Sequence, residues 1–225
     1  MRPIVAPPTD ASELMQRCRG LAGRTIAEVA EQGRVPVPAN LKRHKGFVGN
    51  LLERVLGATA ASRAEPDFPH LGIEMKTLPV TAQGRVLQST YVCTAPLDGS
   101  MAPTWEASWV CHKLSQVLWM PVVGGPEVPV AERVVGSALL WTPSAEERAD
   151  LQRDWELLAE IIARGEHGNL DARHGEWLQI RPKGSSSLDL VWALSEEGEW
   201  VRDQARGFYL RPRFTRRVLS ANYLI

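Results

Sequence analysis

The segment Glu65–Val80 reads EPDFPHLGIEMKTLPV, and its last ten residues alternate as expected for a β-strand. Successive side chains of a strand point to opposite faces, so Ile73 and Met75 share one face. Glu74 and Lys76 share the other. The charged face of such a strand either is exposed to solvent or forms part of a functional site.

Asp67 precedes this strand by a short turn, which brings its carboxylate toward Glu74. Two carboxylates that converge on one point form a site for a hard cation such as Mg²⁺. Lys76 beside them could orient a water molecule or stabilise charge on a phosphate. The pattern D-x(6)-E-x-K therefore indicates metal-dependent phosphodiester hydrolysis. The alternative is a Glu–Lys ion pair on an exposed strand face, which the spacing by itself favours.

The regions on either side of this segment carry patterns of both helices and strands. Helix starts are predicted at Thr9 or Asp10, at TIAEVAEQG (25–33), at GFVGNLLERVLG (46–57), near Ser108, at Ser144 with Glu147 in a capping box, and at Thr215. Further strands are predicted at 86–95, 117–123, 175–183 and 207–212. The strand at 86–95 is expected to form a hairpin with the first strand through a Gln83-Gly84 turn. Together these patterns predict an α/β sheet protein that is not a regular βαβ series.

Composition excludes several classes of protein. The chain has 225 residues, of which 44% are hydrophobic and 23% charged, as in a globular protein with a substantial core. Three widely spaced cysteines (Cys18, Cys93 and Cys111) match no zinc site and no disulfide framework, so we expect a cytoplasmic protein. The beginning of the chain lacks the pattern of a signal peptide, and no apolar run is long enough for a membrane span.

The charges are unevenly distributed although the formal net charge is zero. Five arginines and no acid lie in residues 205–225, and LKRHKG (41–46) adds a second basic patch. These patches could bind phosphate groups, or they could be solvated faces. The eight tryptophans are interpreted as packing residues, and GSSS (184–187) as a mobile loop.

Five blocks of the sequence, in order, resemble the MutH family, the strand-discriminating endonucleases of DNA mismatch repair. The blocks are NLKRHKGFVGNLLERVLGA (40–58), EPDFPHLGIEMKTLPV (65–80), HKLSQVLWMPV (112–122), ARHGEWLQIRPK (172–183) and RGFYLRPRFT (206–215). The resemblance implies a restriction-endonuclease-like mixed sheet flanked by helices, related to Sau3AI, in which two arms form a DNA-binding cleft. It further implies one domain over residues 1–225 with two lobes, the N-terminal lobe carrying most catalytic residues and the C-terminal lobe the DNA-recognition residues.

The resemblance also implies an activity and its partners. The chain would nick the unmethylated strand of double-stranded DNA at hemimethylated GATC sites, as a monomer, using Mg²⁺ with Mn²⁺ as a substitute. MutL would activate it, after MutS has found a mismatch. The matching positions for catalysis are Asp67, Glu74, Lys76, Glu53 and Lys113, with Asp67 and Glu74 as metal ligands. The matching positions for DNA binding are Lys45, Gly46, Arg181, Pro182, Lys183, Tyr209 and Arg211.

Among the DNA-binding positions, Arg181 has the geometry to bind guanine O6 and N7 together. Tyr209 matches the residue that senses adenine methylation, and Lys183 and Arg211 are expected to contact phosphates. Residues 184–200 depart from the family pattern, so the resemblance assigns no contact to them.

Two other functions remain open. A restriction endonuclease of the same fold would cut GATC on both strands without a repair partner. A DNA-binding module without nuclease activity would have no need of the Asp67, Glu74 and Lys76 set, so the presence of that set argues against this function.

Overall fold

The structure, a computed structural model, describes residues 2–41, 44, 46–61, 63–170, 173–183 and 190–223. The α-helices of this part of the chain are α1 (Ala11–Leu21), α2 (Ile26–Gln32), α3 (Phe47–Leu56), α4 (Trp109–Leu114), α5 (Ala145–Ala163) and α6 (Pro212–Asn222). Its strands are β1 (Glu74–Val80), β2 (Thr90–Ala95), β3 (Val117–Val123), β4 (Val134–Val135), β5 (Leu139–Trp141), β6 (Leu178–Pro182), β7 (Leu190–Leu194), β8 (Trp200–Gln204) and β9 (Arg206–Leu210). The predicted mixed α/β class is confirmed.

The chain divides into two compact units. The first contains Met1–Gln88, Ser115–Thr142 and Leu219–Ile225, and the second contains Ser89–Leu114 and Pro143–Val218. The expectation of a single domain with two lobes stays a prediction. The predicted loop at 184–187 lies outside the described residues.

Helix starts follow the capping signals of the sequence in three cases. The Asp10 carboxylate accepts a hydrogen bond from the Glu13 N–H at the start of α1. Thr25 and Ser144 each begin a helix with a complete capping box, formed with the glutamate three residues later. Caps of this kind satisfy N–H groups that lack a partner inside the helix, and each stabilises the helix by about 1 kcal/mol.

The sheet of the first unit is built around β3. Strand β1 pairs with β3 in parallel along its whole length, from Glu74 opposite Val117 to Val80 opposite Val123. Strands β5 and β4 pair antiparallel with the beginning and the end of β3. Helices α1, α2 and α3 bury their apolar stripes in one core with this sheet, and the predicted stripe of α3 is buried at Phe47, Leu51 and Val55.

The prediction of a hairpin between β1 and residues 86–95 is wrong. Its turn is present, because the Thr81 N–H donates to the Arg85 carbonyl at 3.0 Å and the Leu87 N–H donates to the Pro79 carbonyl at 3.0 Å. The ladder ends there, and β2 joins the sheet of the second unit. The turn residues specify only local hydrogen bonds, whereas the partner of a strand depends on distant parts of the chain.

The sheet of the second unit has the order β2-β9-β6, with both outer strands antiparallel to β9. Strands β7 and β8 form a separate hairpin, which the sequence patterns did not predict. Trp192 and Trp200 on this hairpin are 55% and 58% exposed, and Trp109 on α4 is 49% exposed. The interpretation of all tryptophans as packing residues is therefore wrong for these three.

The last helix begins earlier than predicted. Helix α6 starts at Pro212, and the Thr215 hydroxyl donates to the Pro212 carbonyl at 3.1 Å, so Thr215 lies inside the helix and is not its cap. Proline is favoured in the first turn, where its missing N–H removes no intrahelical hydrogen bond. Within the described residues, no helix has both the length and the apolar character needed to cross a lipid bilayer.

A buried carboxylate fixes the start of β6 to α5. Asp154 is 5% exposed, and its carboxylate accepts the backbone N–H groups of Glu176, Trp177 and Leu178 at 2.9, 2.5 and 2.8 Å. The carboxylate thus supplies the acceptors for three N–H groups at a turn, where no neighbouring strand supplies them. Asp154 therefore determines where β6 begins.

We expect Asp154→Ala to lower the free energy of unfolding by about 3–5 kcal/mol, because it leaves several N–H groups without an acceptor. Urea denaturation followed by circular dichroism measures this. Glu156→Gln on the same helix changes an exposed carboxylate and should stay within about 0.5 kcal/mol of the wild type. Equal midpoints for the two variants would contradict the role of Asp154.

Candidate active site

A tight loop places Asp67 beside the first residues of β1. The Phe68 N–H donates to the Ile73 carbonyl at 2.9 Å, and the return bond measures 3.3 Å. The 3₁₀ helix Pro69–Leu71 closes the loop, and Gly72 adopts a left-handed conformation (φ 67°) that favours glycine. The Asp67 Oδ2 atom then accepts the Met75 N–H at 2.8 Å, which fixes the carboxylate next to Glu74.

Glu74 and Lys76 form an ion pair on one face of β1, as the two-residue period requires. The Lys76 Nζ atom lies 2.7 Å from Glu74 Oε1, and the two side chains are only 13% and 5% exposed. The predicted alternative, an ion pair on an exposed strand face, is therefore right about the ion pair but wrong about the face, which is largely buried. Glu74 is therefore a buried carboxylate whose charge is balanced by Lys76.

Glu53 on α3 brings a third carboxylate to the same place. Helix α3 packs against β1. Burial, followed by the negative charges of Asp67 and Glu74, raises the pKa of Glu53 to about 7, although Lys76 opposes this shift. Such a shift arises where several acids share one poorly solvated region. The structure thus groups Glu53, Asp67, Glu74 and Lys76 within the first unit; we call this group the acid–lysine cluster.

The donor atoms of this cluster fit a hard divalent cation. Within the described residues, no group of three or more His, Cys, Asp or Glu side chains is arranged to hold a metal ion by itself. Mg²⁺ commonly binds through one or two carboxylates and keeps several water molecules, so the two carboxylates of Asp67 and Glu74 could hold one. A surplus of carboxylates over ammonium groups also favours a cation.

Most predicted DNA-binding residues lie in the second unit, on β6 and β9 or directly after them. Across the sheet, Gln179 pairs with Tyr209, and Tyr209 with Tyr91, so the three side chains share one face. Arg181, two residues after Gln179, lies with its guanidinium carbon 5.8 Å from the centre of the Tyr209 ring. Burial and the neighbouring Tyr91 raise the pKa of Tyr209, although Arg181 opposes the shift, so the phenol stays protonated.

The other predicted DNA-binding residues of the second unit are held in different ways. The Lys183 ammonium donates to the Thr94 hydroxyl at 2.8 Å and lies 5.4 Å from the centre of the Tyr91 ring. Pro182 is exposed at the end of β6, opposite Arg206. The Arg211 guanidinium donates to the His174 carbonyl at 3.0 Å. Burial, and to a smaller extent the charge of Arg213, lowers the pKa of Arg211.

Gly207 on β9 makes room for the two tyrosine rings. A methyl group at this position would lie 2.8 Å from Cε2 of Tyr91, 3.3 Å from Cε2 of Tyr209 and 3.1 Å from the Cys93 carbonyl oxygen. Contacts this short force the neighbouring atoms to move. A glycine therefore allows both rings to cover the same point of the sheet.

Two predicted site residues lie elsewhere, and a third lies outside the described residues. Gly46 is the N-cap of α3, in a left-handed conformation (φ 82°) and without a side-chain hydrogen bond to the helix. Lys45 lies outside the described residues. Lys113 is on α4 in the second unit, whereas the acid–lysine cluster belongs to the first unit.

The sequence patterns did not predict the contribution of β2 and the preceding Ser89 to the face around Tyr209. Ser89, Tyr91 and Thr94 contact the side chains of β6 and β9. The alternation of polar and apolar residues in VLQSTYVCTA was visible, but the expected hairpin assigned this strand to the wrong sheet.

The sequence is similar to proteins of DNA mismatch repair. Residues 56–154 match the family model described as DNA mismatch repair enzyme MutH. The chain is 47% identical over 225 residues to the DNA mismatch repair protein MutH of Serratia proteamaculans, covering 100% of this chain and 99% of the relative. It is 49% identical over 220 residues to the protein of that name from Yersinia enterocolitica, covering 98% of this chain and 96% of the relative. The corresponding protein of Shewanella baltica is 48% identical over 216 residues, covering 96% and 97%.

We expect Glu74 and Lys76 to be coupled in a double-mutant cycle of the free energy of unfolding, measured in EDTA so that no metal ion is bound. Lys76→Met should lower the free energy of unfolding by about 2–4 kcal/mol, because it leaves a buried carboxylate without its counter-charge. Adding Glu74→Gln to that variant should restore most of the loss. Urea denaturation of the two single variants and the double variant measures the coupling. Additive effects would contradict a stabilising pair.

Proposed function

The chain belongs to the MutH family, the endonucleases of DNA mismatch repair, and we propose that it nicks the unmethylated strand at hemimethylated GATC sites when MutL activates it. It is a nuclease that hydrolyses phosphodiester bonds in DNA, and it acts with other repair proteins. Nucleases of this family work with a divalent metal ion, which we propose to be Mg²⁺, with Mn²⁺ as a substitute.

The observation that carries the catalytic part of the proposal is the acid–lysine cluster. Asp67 is fixed by the Met75 N–H, Glu74 is held by Lys76, and Glu53 is close enough for its pKa to respond to the two other acids. Asp67 and Glu74 would hold the cation, and Glu53 would join the site. When bound, such a cation lowers the pKa of a water molecule and neutralises charge on the phosphate.

Lys76 has the chemistry to act beside the cation. An ammonium group has three N–H donors, so the bond to Glu74 accounts for one of them. The others can donate to a phosphate oxygen or to the attacking water. Because Lys76 is largely buried, its charge is less screened by solvent than a surface charge and acts more strongly on the phosphate. Lys113 on α4 is proposed as a further basic group near the scissile phosphate.

Sequence recognition is assigned to the face formed by β6 and β9. Arg181 would bind guanine O6 and N7, with Pro182 beside it against the base edges. Tyr209 would lie against the adenine and detect a methyl group that replaces an amino hydrogen. Its phenol is held by neighbouring rings and charges, so it has little freedom to move away from an added methyl group.

Other groups would contact the DNA backbone. Lys183 and Arg211 would bind phosphates, which fix the position of the protein on the duplex without reading sequence. Gly46 leaves the first N–H groups of α3 without a side-chain cap, and N–H groups at a helix N-terminus favour a phosphate. Lys45, next to it in the sequence, would add a positive charge.

We further propose that the chain acts as a monomer in the cytoplasm, where MutS contributes indirectly by engaging MutL at a mismatch. The second candidate function is a restriction endonuclease of the same fold that cuts GATC without repair partners. It would use the same acid–lysine cluster, so only the dependence on partner and methylation separates the two functions.

The decisive experiment measures nicking of unmethylated, hemimethylated and fully methylated GATC duplexes with Mg²⁺, with and without MutL. We expect slow nicking without MutL, acceleration when it is added, cleavage confined to unmethylated strands, and no cleavage of the fully methylated duplex. Rapid cleavage of both strands that MutL does not change would favour the restriction endonuclease instead.

The metal-binding carboxylates are tested by Asp67→Asn and Glu74→Gln. We expect each to lower the nicking rate by about 10²-fold or more, because the cation loses a charged ligand. Binding of the GATC duplex in EDTA, measured by fluorescence anisotropy, should change little. Glu65→Gln is the matched control, since Glu65 belongs to the same segment but pairs with Arg63. A near-native rate in either test variant would remove that residue from the site.

A further inference from the structure

Ser89 lies at the point where the side chains of β6 reach across the sheet of the second unit. It immediately precedes β2, and it shares the face of Tyr91 and Tyr209 by the two-residue period. Gln179 donates to the Ser89 hydroxyl oxygen from Nε2 at 2.8 Å. Arg181 donates to the same oxygen from Nη1 at 3.3 Å. One hydroxyl therefore links two neighbouring side chains of one face of β6.

The two hydrogen bonds use the full acceptor capacity of this hydroxyl. A serine oxygen has two acceptor lone pairs and one O–H donor. With Gln179 and Arg181 on the lone pairs, the hydrogen must point away from both. Gln179 is only 7% exposed, so the first of these bonds is shielded from competing water and fixes the position of the oxygen.

Arg181, in contrast, is exposed and would otherwise move freely. Its guanidinium is restrained from two sides, by the Ser89 oxygen and by the Tyr209 ring at 5.8 Å. Ser89 and Arg181 line an open depression with Arg211, Arg213 and Arg216, where the positive charges repel one another and no described acid lines the wall. An uncharged acceptor holds an arginine there without neutralising the charge that DNA would meet.

We propose that Ser89 is a positioning residue for Arg181: its hydroxyl holds the guanidinium ready to bind both acceptors of a guanine. The inference rests on the proposed GATC recognition by Arg181. A guanidinium that is already oriented loses less conformational entropy on binding, so Ser89 contributes to selectivity for guanine without contacting the base.

The test compares nicking of a hemimethylated GATC duplex with the same duplex containing 7-deazaguanine, which lacks the N7 acceptor, in place of both guanines. We expect Ser89→Ala to lower kcat/KM on the normal duplex by about 3- to 10-fold, the effect of losing about one hydrogen bond, and to change the 7-deaza duplex less. The preference for guanine N7 should therefore fall. Ser89→Thr keeps the hydroxyl and should restore that preference.

Ser100→Ala is the matched control, because Ser100 also belongs to the second unit but its hydroxyl pairs with Asp98. It should leave both rates unchanged. In an Arg181→Ala background, Ser89→Ala should have no further effect on the preference. The inference is overturned if Ser89→Ala slows both duplexes equally, or if its effect persists without Arg181.

A second measurement separates this inference from the proposed function. Nitrogen-15 NMR of the free protein reports rotation of the Arg181 guanidinium, which should be faster in Ser89→Ala than in the wild type and in Ser100→Ala. If the wild type shows no preference for GATC, the proposed recognition fails, and the NMR result still decides whether Ser89 holds Arg181. Equal rotation in all three proteins would reject the role of Ser89.

Discussion

The buried ion pair between Glu74 and Lys76 is the interaction on which the proposed active site depends. Removing two charges from water is costly, and their attraction offsets the cost only when the geometry is good. Here the two-residue period of β1 provides that geometry, with 2.7 Å between the charged atoms. Asp67 and Glu53 add two more carboxylates to the same region, and burial together with this excess of acid raises the pKa of Glu53. A divalent cation is the group that such an excess would accommodate.

The second unit holds polar side chains in fixed positions while they remain accessible. Asp154 fixes the beginning of β6 through three backbone N–H groups. Strand β9 lies between β2 and β6, and Gly207 lets the rings of Tyr91 and Tyr209 approach each other. The side chains proposed to read DNA are therefore mounted on a regular sheet, which positions them more firmly than a loop would.

Local features were predictable to the extent that their partners lie within a few residues. The helix starts predicted at Thr9 or Asp10, at the beginning of TIAEVAEQG and at Ser144 were correct because each capping bond spans three residues. The prediction that Thr215 caps the last helix was wrong, because Pro212, three residues earlier, is an equally local and stronger signal for the beginning of a helix. Exposure was less predictable, since an apolar residue such as Trp192 looks the same in sequence whether or not another element covers it.

The sequence by itself determined the alternation of β1, the acids and lysine on its polar face, and the family to which the chain belongs. It also determined most helices, because capping and periodicity act over short distances. Only the tertiary structure decided that β1 pairs with β3, that β2 joins β9, and that Glu53 reaches Asp67 and Glu74. The physical reason is that strand pairing and burial depend on contacts between residues far apart in the chain, and local patterns do not specify those contacts.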